Sequence, residues 1–330
     1  MNPLQPLNPF AESPQVVTVA LNPALDQTIE VAGITLGAVN RALRMQVDVG
    51  GKAVNVASCL SDFNIRTAVT GQIGRDNAAL FEELFQRKKI ANHCCYLDGL
   101  TRINSKLVDT VSGDTTDLNM PGPEFTSATA KDLLDQVLRR LDQLAGHVQW
   151  IVLSGSLPPG MPADTYATIT RQVQAAGGAV VLDTSGAPLK AALAAGPKIV
   201  KPNRHELAEL VGRPLDTLGA LITTGRELLA ATPAPDLVVV SLGEDGALFL
   251  NREQAVQALP IQMTVSSTVG AGDAMVAGLV AAQIEKLSLA DTARLATAFA
   301  AAKLTRLGPH LPRPAEVRAL AQQVSVSAID

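Results

Sequence analysis

The stretch Ser267-Thr268-Val269-Gly270-Ala271-Gly272-Asp273-Ala274-Met275 sets one carboxylate behind three small residues, at the start of an apolar segment. Glycines at a helix start let backbone N–H groups converge without Cβ obstruction. The first amides of a helix lack internal partners and stand at the positive end of its dipole, which makes an anion site of backbone alone. Two chemistries suit the acid. Asp273 caps the helix, or it takes a proton from a hydroxyl that attacks a phosphoryl group held by the Gly270, Ala271 and Gly272 amides. A G-x-G-x-x-G turn would need glycine where Met275 stands, and no G-x-x-x-x-G-K-[ST] loop occurs, so a bound phosphate needs another device.

Further constellations lie earlier in the chain. In "VGGKAVNVA", Gly50 and Gly51 precede Lys52 and Asn55. This is a turn into an ordinary helix, or a close backbone approach to a polyol with Asn55 bonding hydroxyls and Lys52 attracting an anion. Asp26 in "LNPALD" is a turn residue or an acceptor for sugar hydroxyls. Arg102, Asn104 and Lys106 in "TRINSKL" share one face of a strand, as a solvated face or as a grip on a phosphate. In "KPNRHELAEL", Asn203 and Glu206 have capping-box spacing, and the same pair could touch a hydrated Mg²⁺ beside a triphosphate. "SLGEDGAL", from Ser241 through Gly243 and Gly246, is a plain hairpin or the lining of a nucleotide site. The four histidines show no triad or metal spacing.

The elements that must carry these residues alternate. "VVTVAL" at 16–21 is a buried-strand run ended by Asn22-Pro23. The pattern predicts helices at 52–63, 77–89, 128–144, 162–175, 204–211, 218–230, 271–284, 289–303 and 314–324. It predicts strands at 67–70, 94–97, 150–153, 179–182, 198–200, 237–241, 246–250 and 255–259. Strands alternating with helices mean a doubly wound, mainly parallel sheet covered on both faces. The shorter, more polar strands at 28–31, 40–49, 102–109 and 115–120 do not fit that alternation, and the last two read as a hairpin. They form a small β-sheet inserted into a unit spanning 15–330, after a loose proline-bearing extension at 1–14. Ligands of such a sheet bind beyond the carboxyl ends of its strands.

Composition narrows the partners. The chain has 330 residues, of which 47% are hydrophobic and 18% charged, enough for a large core. With 27 basic and 31 acidic residues the net charge is -4, and no run of like charges offers a polyanion surface, so nucleic acid is not expected as a partner. No stretch has the roughly 18 apolar residues of a membrane span, and the first residues are no secretory signal. Cys59, Cys94 and Cys95 make no disulfide framework and read as reduced thiols in the cytoplasm.

Taken in order, Asp26, G-G-K-x-x-N, T-R-I-N-x-K, S-G-S-L-P-P-G, K-P-N-x-x-E-L, V-S-L-G-x-x-G-A and S-T-V-G-A-G-D-x-M resemble the ribokinase-like sugar kinases, in the phosphofructokinase B branch. The likeness covers about residues 15 to 325 and implies a β-sheet lid over a sugar site. It implies Asp273 as catalytic base, the Gly270–Gly272 amides as anion hole, and ATP with Mg²⁺ as cofactors. Asn203 and Glu206 would organise the metal and its waters. Lys201, Asn203, Ser241, Gly243, Gly246 and Thr268 would face the nucleotide. Asp26, Gly50, Gly51, Asn55 and Asn104 would face the sugar, and Lys52, Arg102 and Lys106 the phosphate it already carries. "TRINSKL" followed by "TTDLNMPG" is most similar to the 1-phosphofructokinase group, which implies fructose 1-phosphate going to fructose 1,6-bisphosphate. The tagatose-6-phosphate kinase and 6-phosphofructokinase groups are the neighbouring readings, and a phosphosugar sensor on the same fold is the non-catalytic one. Relatives pair their lids, which implies a homodimer. The family pattern G-K-G-I-N-V-A is replaced by Ala53 and Val54 here, and Ala53 is expected to set a Cβ near the sugar.

Overall fold

The computed structural model describes residues 13–263, 269–306 and 308–329. The chain opens with β1 (Val16–Ala20), β2 (Ala24–Val31), β3 (Ala42–Gly50), α1 (Lys52–Asp62), β4 (Thr67–Gly74), α2 (Ala78–Arg87) and β5 (Ala91–Leu97). It continues through β6 (Ile103–Asp109), β7 (Thr115–Leu118), α3 (Ser127–Leu144), β8 (Trp150–Ser154), α4 (Thr165–Ala175), β9 (Ala179–Asp183), α5 (Gly186–Leu193) and β10 (Ile199–Val200). Then come α6 (Arg204–Val211), α7 (Leu218–Ala230), β11 (Leu237–Ser241), β12 (Ala247–Leu250), β13 (Ala255–Ala258), α8 (Ala271–Ile284), α9 (Leu289–Leu304), α10 (Pro314–Ala321) and β14 (Val326–Ala328).

Ten strands make the large sheet, in the order β14-β13-β12-β11-β10-β9-β8-β1-β4-β5. From β11 to β5 every pairing is parallel, while β12, β13 and β14 add an antiparallel edge. Parallel strands lie between helix layers and read as continuous apolar runs, and all five residues of β1 are buried. One apolar cluster joins α8 and α9 to the sheet, and another joins α3, α4 and α7 to it. Helix α8 is buried from Asp273 through Ala282, as a helix apolar all round must be. The expected mixed α/β architecture with a separate small sheet is therefore the fold.

The small sheet has the order β3-β2-β6-β7. Strand β2 pairs antiparallel with β3 and parallel with β6, and β6 pairs antiparallel with β7. Period-two alternation divides β3. Arg44, Gln46 and Asp48 line a cavity, while Leu43, Met45 and Val47 are 64%, 59% and 40% exposed on the other face.

Several elements depart from the pattern reading, among them β4 and β5, which run longer than expected at Thr67–Gly74 and Ala91–Leu97, and α10, which ends at Ala321. Strand β2 starts at Ala24 rather than Thr28, because the Leu25 amide donates to Arg102 O at 2.9 Å and draws the chain into the lid immediately after Pro23. Asp26 therefore sits inside a lid strand and not in a loop after β1. Helix α4 starts at Thr165, whose hydroxyl donates to Pro162 O at 2.6 Å, so Pro162 belongs to the preceding turn. Strand β14 has only three residues, too short a run to mark a strand, and it pairs with β13.

Candidate active site

A cavity of about 820 Å³ lies between the inner face of the lid and the large domain. Lid residues Asp26, Asn104 and Lys106 line it. Asp183, Lys201, Gly270, Gly272 and Asp273 of the large domain line it too, as do Gly51, Lys52 and Asn55. The carboxyl ends of β9 and β11 reach this wall through Asp183 and Ser241, where ligands of an open α/β sheet bind.

Asp273 occupies the first turn of α8 and is 5% exposed. Gly270 precedes that helix with φ 81° and no side chain to cap it, so the N-cap residue leaves the leading amides open. The left-handed backbone there suits glycine. The Asp273 carboxylate accepts a bond from Asn55 Nδ2 at 2.8 Å across 218 residues of sequence. Burial pushes its pKa up to about 6. Lys52, Lys201 and the Asn55 bond pull the other way, and the neighbouring Asp183 charge adds to the rise. Asn55 Oδ1 is buried without a partner, an acceptor left for a hydroxyl from the cavity.

Asp183, at the end of β9, is fully buried and was not singled out from the sequence. Lys201 Nζ lies 3.1 Å from its Oδ1 and Lys52 Nζ 3.5 Å from its Oδ2, which also accepts from Ser154 Oγ at 3.2 Å. Oδ1 takes no hydrogen bond of good angle, so its partner is the Lys201 charge. Burial pushes this carboxyl up, yet Lys201 and Lys52 outweigh it and hold the pKa below the usual range. Asp183 in turn is the main reason that the Lys52 pKa is raised. A signal was available in "AVVLD", where a charge closes an apolar strand run at its carboxyl end. Lys303 also lines the cavity at 2% exposure and donates to Arg306 O at 2.9 Å. Burial lowers its pKa. Nothing in "AAAKLTRLG" separates it from a surface lysine.

At the lid end, Asn104 Nδ2 donates to Asp26 Oδ1 at 2.9 Å. Burial raises the Asp26 pKa. Gly50 is not in the cavity wall, but its missing side chain makes room for Asp26, because a Cβ there would stand 2.1 Å from Asp26 Oδ2. Gly51 turns the chain into α1 with φ 92°. Lys106 is paired with Asp117 at 3.0 Å. Arg102 lines the cavity, yet it donates to the carbonyls of Pro23, Met120 and Asn22, so it ties the lid strand to the β1–β2 turn. Ala53 does not face the sugar end as expected. It is 2% exposed and packs into the apolar cluster of α1 and α2 with Leu25, Ala57 and Val69.

On the remaining wall, Asn203 and Glu206 form the capping box of α6. Asn203 Oδ1 accepts from the Glu206 amide, and Glu206 Oε2 accepts from the Asn203 amide, both at 2.8 Å. Both also line the cavity, so the capping and ligand readings coexist. Ser241 bridges to Asn203 and lines the cavity too. Gly243 and Gly246 stand in the β11–β12 turn outside the cavity wall. Ala271 opens α8 but likewise does not line the cavity. Thr268 lies outside the described residues.

The pfkB family carbohydrate kinase pattern matches residues 19–316, and the chain belongs to that family. It is an ATP-dependent kinase acting on an alcohol group of a sugar. A 1-phosphofructokinase of Rhodobacter capsulatus is 46% identical over 319 residues, covering 96% of this chain and 98% of that protein. A 1-phosphofructokinase of Xanthomonas campestris is 45% identical over 320 residues, covering 96% and 99%. The crystal structure of phosphofructokinase-2 from Escherichia coli in complex with potassium matches with TM-score 0.86 at 27% identity, covering 94% of this chain and 98% of that one.

Proposed function

We propose that the chain transfers the γ-phosphoryl group of ATP to the 6-hydroxyl of fructose 1-phosphate, with Asp273 as the general base. The observation that carries this reading is the buried Asp273 carboxylate beside the open amides of α8, in one cavity with the lid cation Lys106. A buried acid and a lid cation in one cavity suit a sugar that carries both a free hydroxyl and a phosphate. The names of the relatives from Rhodobacter capsulatus and Xanthomonas campestris support the same substrate. As a bond forms between the 6-oxygen and the γ-phosphorus, the bond from that phosphorus to the ADP oxygen breaks. Asp273 accepts the hydroxyl proton, and the Gly270 and Gly272 amides meet charge on the phosphoryl oxygens. Asp26, Asn104 and Asn55 orient the sugar hydroxyls.

The donor set on α6 fits Mg²⁺, which prefers one or two carboxylates together with waters and substrate phosphates. Glu206 engages only Oε2 in its cap, which leaves Oε1 for the ion or its waters beside Asn203. Among the described residues no group of three His, Cys, Asp or Glu makes an all-protein cage. When bound, the ion would neutralise phosphate charge. The row Leu43, Met45 and Val47 supports a homodimer through the outer lid face, since an exposed apolar strip favours a partner. Three free thiols fit a cytoplasmic protein, and among the described residues no helix is long and apolar enough to cross a membrane.

Coupled ADP-release assays with fructose 1-phosphate, fructose 6-phosphate, tagatose 6-phosphate and unphosphorylated fructose test the substrate. The kcat/KM for fructose 1-phosphate is expected to exceed each of the others by about 100-fold, as two or three kcal/mol of phosphate recognition would give. A higher value for either 6-phosphate would transfer the assignment to that neighbouring kinase. The base must be ionised to accept a proton, so activity is expected to rise with pH. The acid limb of kcat/KM should have a midpoint near the Asp273 pKa of about 6. A flat profile from pH 5 to 8 would remove Asp273 from that role.

A further inference from the structure

Asp183 is a single buried carboxylate with two ammonium partners from different elements that line the cavity. Lys52 opens α1 directly after the lid strand β3, and Lys201 follows β10 in the large domain. Lys201 and Asp183 have side chains only 5% and 1% exposed. A buried charge cluster of this kind is a poor device for stability alone, since apolar side chains of the same volume commonly serve as well. Its location explains it better. A Cβ on Gly272 would lie 3.8 Å from Lys201 Nζ, so that ammonium stands beside the open amides of α8. Lys52 interacts with both Asp183 and Asp273.

We propose that Asp183 is a positioning residue for the transfer step, holding Lys52 and Lys201 on opposite sides of the phosphoryl group that moves between ATP and the sugar. The inference rests on the reading that this group sits at the N-terminus of α8. Two lysines and one carboxylate leave a single net positive charge. The carboxylate fixes both flexible side chains before either substrate arrives, so no reorganisation accompanies the reaction. The arrangement also links the two halves of the site. Lys52 belongs to the segment that carries the sugar contacts Gly51 and Asn55, and Lys201 to the segment that carries Asn203 and Glu206.

The test is a mutant cycle on the full-length protein, with Asp183→Asn, the pair Lys52→Met with Lys201→Met, and all three together. In the wild-type background Asp183→Asn is expected to lower kcat by about 100-fold, comparable with losing one oriented electrostatic contact. The KM values for both substrates should change by less than about threefold, since these lysines bind the moving group more strongly in the transition state than in either ground state. In the lysine-free background the same substitution should change kcat by less than about threefold, because the groups it acts through are gone. It should also raise the melting temperature there, by removing a buried charge left without partners. A full loss of kcat in both backgrounds would mean that Asp183 acts by itself and would overturn the proposal. If Asp183→Asn does not fold, Asp183→Glu keeps the charge and displaces both lysines by a methylene. A kcat loss of about tenfold is expected there, and wild-type turnover would overturn the proposal. Absent turnover by the wild-type protein with every sugar phosphate would overturn the kinase reading and this proposal with it. Independent losses in an active enzyme would overturn this proposal alone.

Discussion

Asp273→Asn is expected to lower kcat by about 1,000-fold, within the range that a positioned base supplies, while leaving the KM for fructose 1-phosphate nearly unchanged. Asparagine keeps the size of the side chain and an oxygen to accept the bond that Asn55 donates, but it cannot take the proton. The same change is expected to stabilise the fold. The Asp273 pKa is raised from 3.8 to about 6, chiefly by burial. Between those values the native state keeps a proton that the unfolded chain has released, so this group's contribution to stability falls as pH rises through that window. Above it, the ionised side chain costs on the order of 3 kcal/mol. A neutral side chain removes that cost, and at pH 8 the melting temperature should rise by a few degrees. At pH 4, where the native aspartate is protonated, the rise should largely vanish. A variant that turns over within tenfold of wild type would end the role of Asp273 as base. Lost activity with a lowered melting temperature at pH 8 would mean that the buried carboxylate supports the fold instead.

The alternation of elements was legible because apolar runs of strand length and helical periods follow one another from β8 to β11. The helix start that carries Asp273 was legible because Gly270, Gly272 and Asp273 lie within four residues and need only a helix start to bring them together. The lid was harder. Its strands were visible as polar, short segments, but the parallel pairing of β2 with β6 joins Leu25 to Ile103 and Asp26 to Asn104, and no local signal carries a contact of that range. Residue type alone misjudged two positions. Arg102 has the chemistry of a phosphate ligand, yet backbone carbonyls of the β1–β2 turn claim its donors. Ala53 departs from the family pattern beside a motif residue, but helix geometry turns it toward the core. Period-two and period-3.6 arguments fix which face a residue shares, and they do not say what stands opposite. Asp183 is the complementary case, since the charge that closes "AVVLD" drew no reading from the sequence, and only its lysine partners, 131 and 18 residues away along the chain, give it a role.

Gly272→Ala is expected to separate stability from catalysis in the opposite sense to a core mutation. Three glycines of α8 and its cap differ in what they are for. Gly270 has φ 81°, and Gly278 lets α9 approach so closely that a Cβ would stand 2.6 Å from Ala296 Cα. Gly272 answers to neither need, because it lies within the helix and the nearest heavy atom to a Cβ would be Lys201 Nζ at an ordinary 3.8 Å. For the fold alone, alanine would be better by about 1 kcal/mol of helix propensity. A Cβ tilts toward the N-terminus of its helix, so at this position the added methyl would enter the space that the open amides face. A phosphoryl group approaching those amides would meet it, and kcat/KM is expected to fall by about 100-fold, as when one donor of an oxyanion site is lost. Ala271 already carries a Cβ next door, but it does not line the cavity. Thermal melting of Gly272→Ala should show an unchanged or slightly raised midpoint beside that loss. Full activity in a stable variant would place the transferred phosphoryl group somewhere other than the N-terminus of α8.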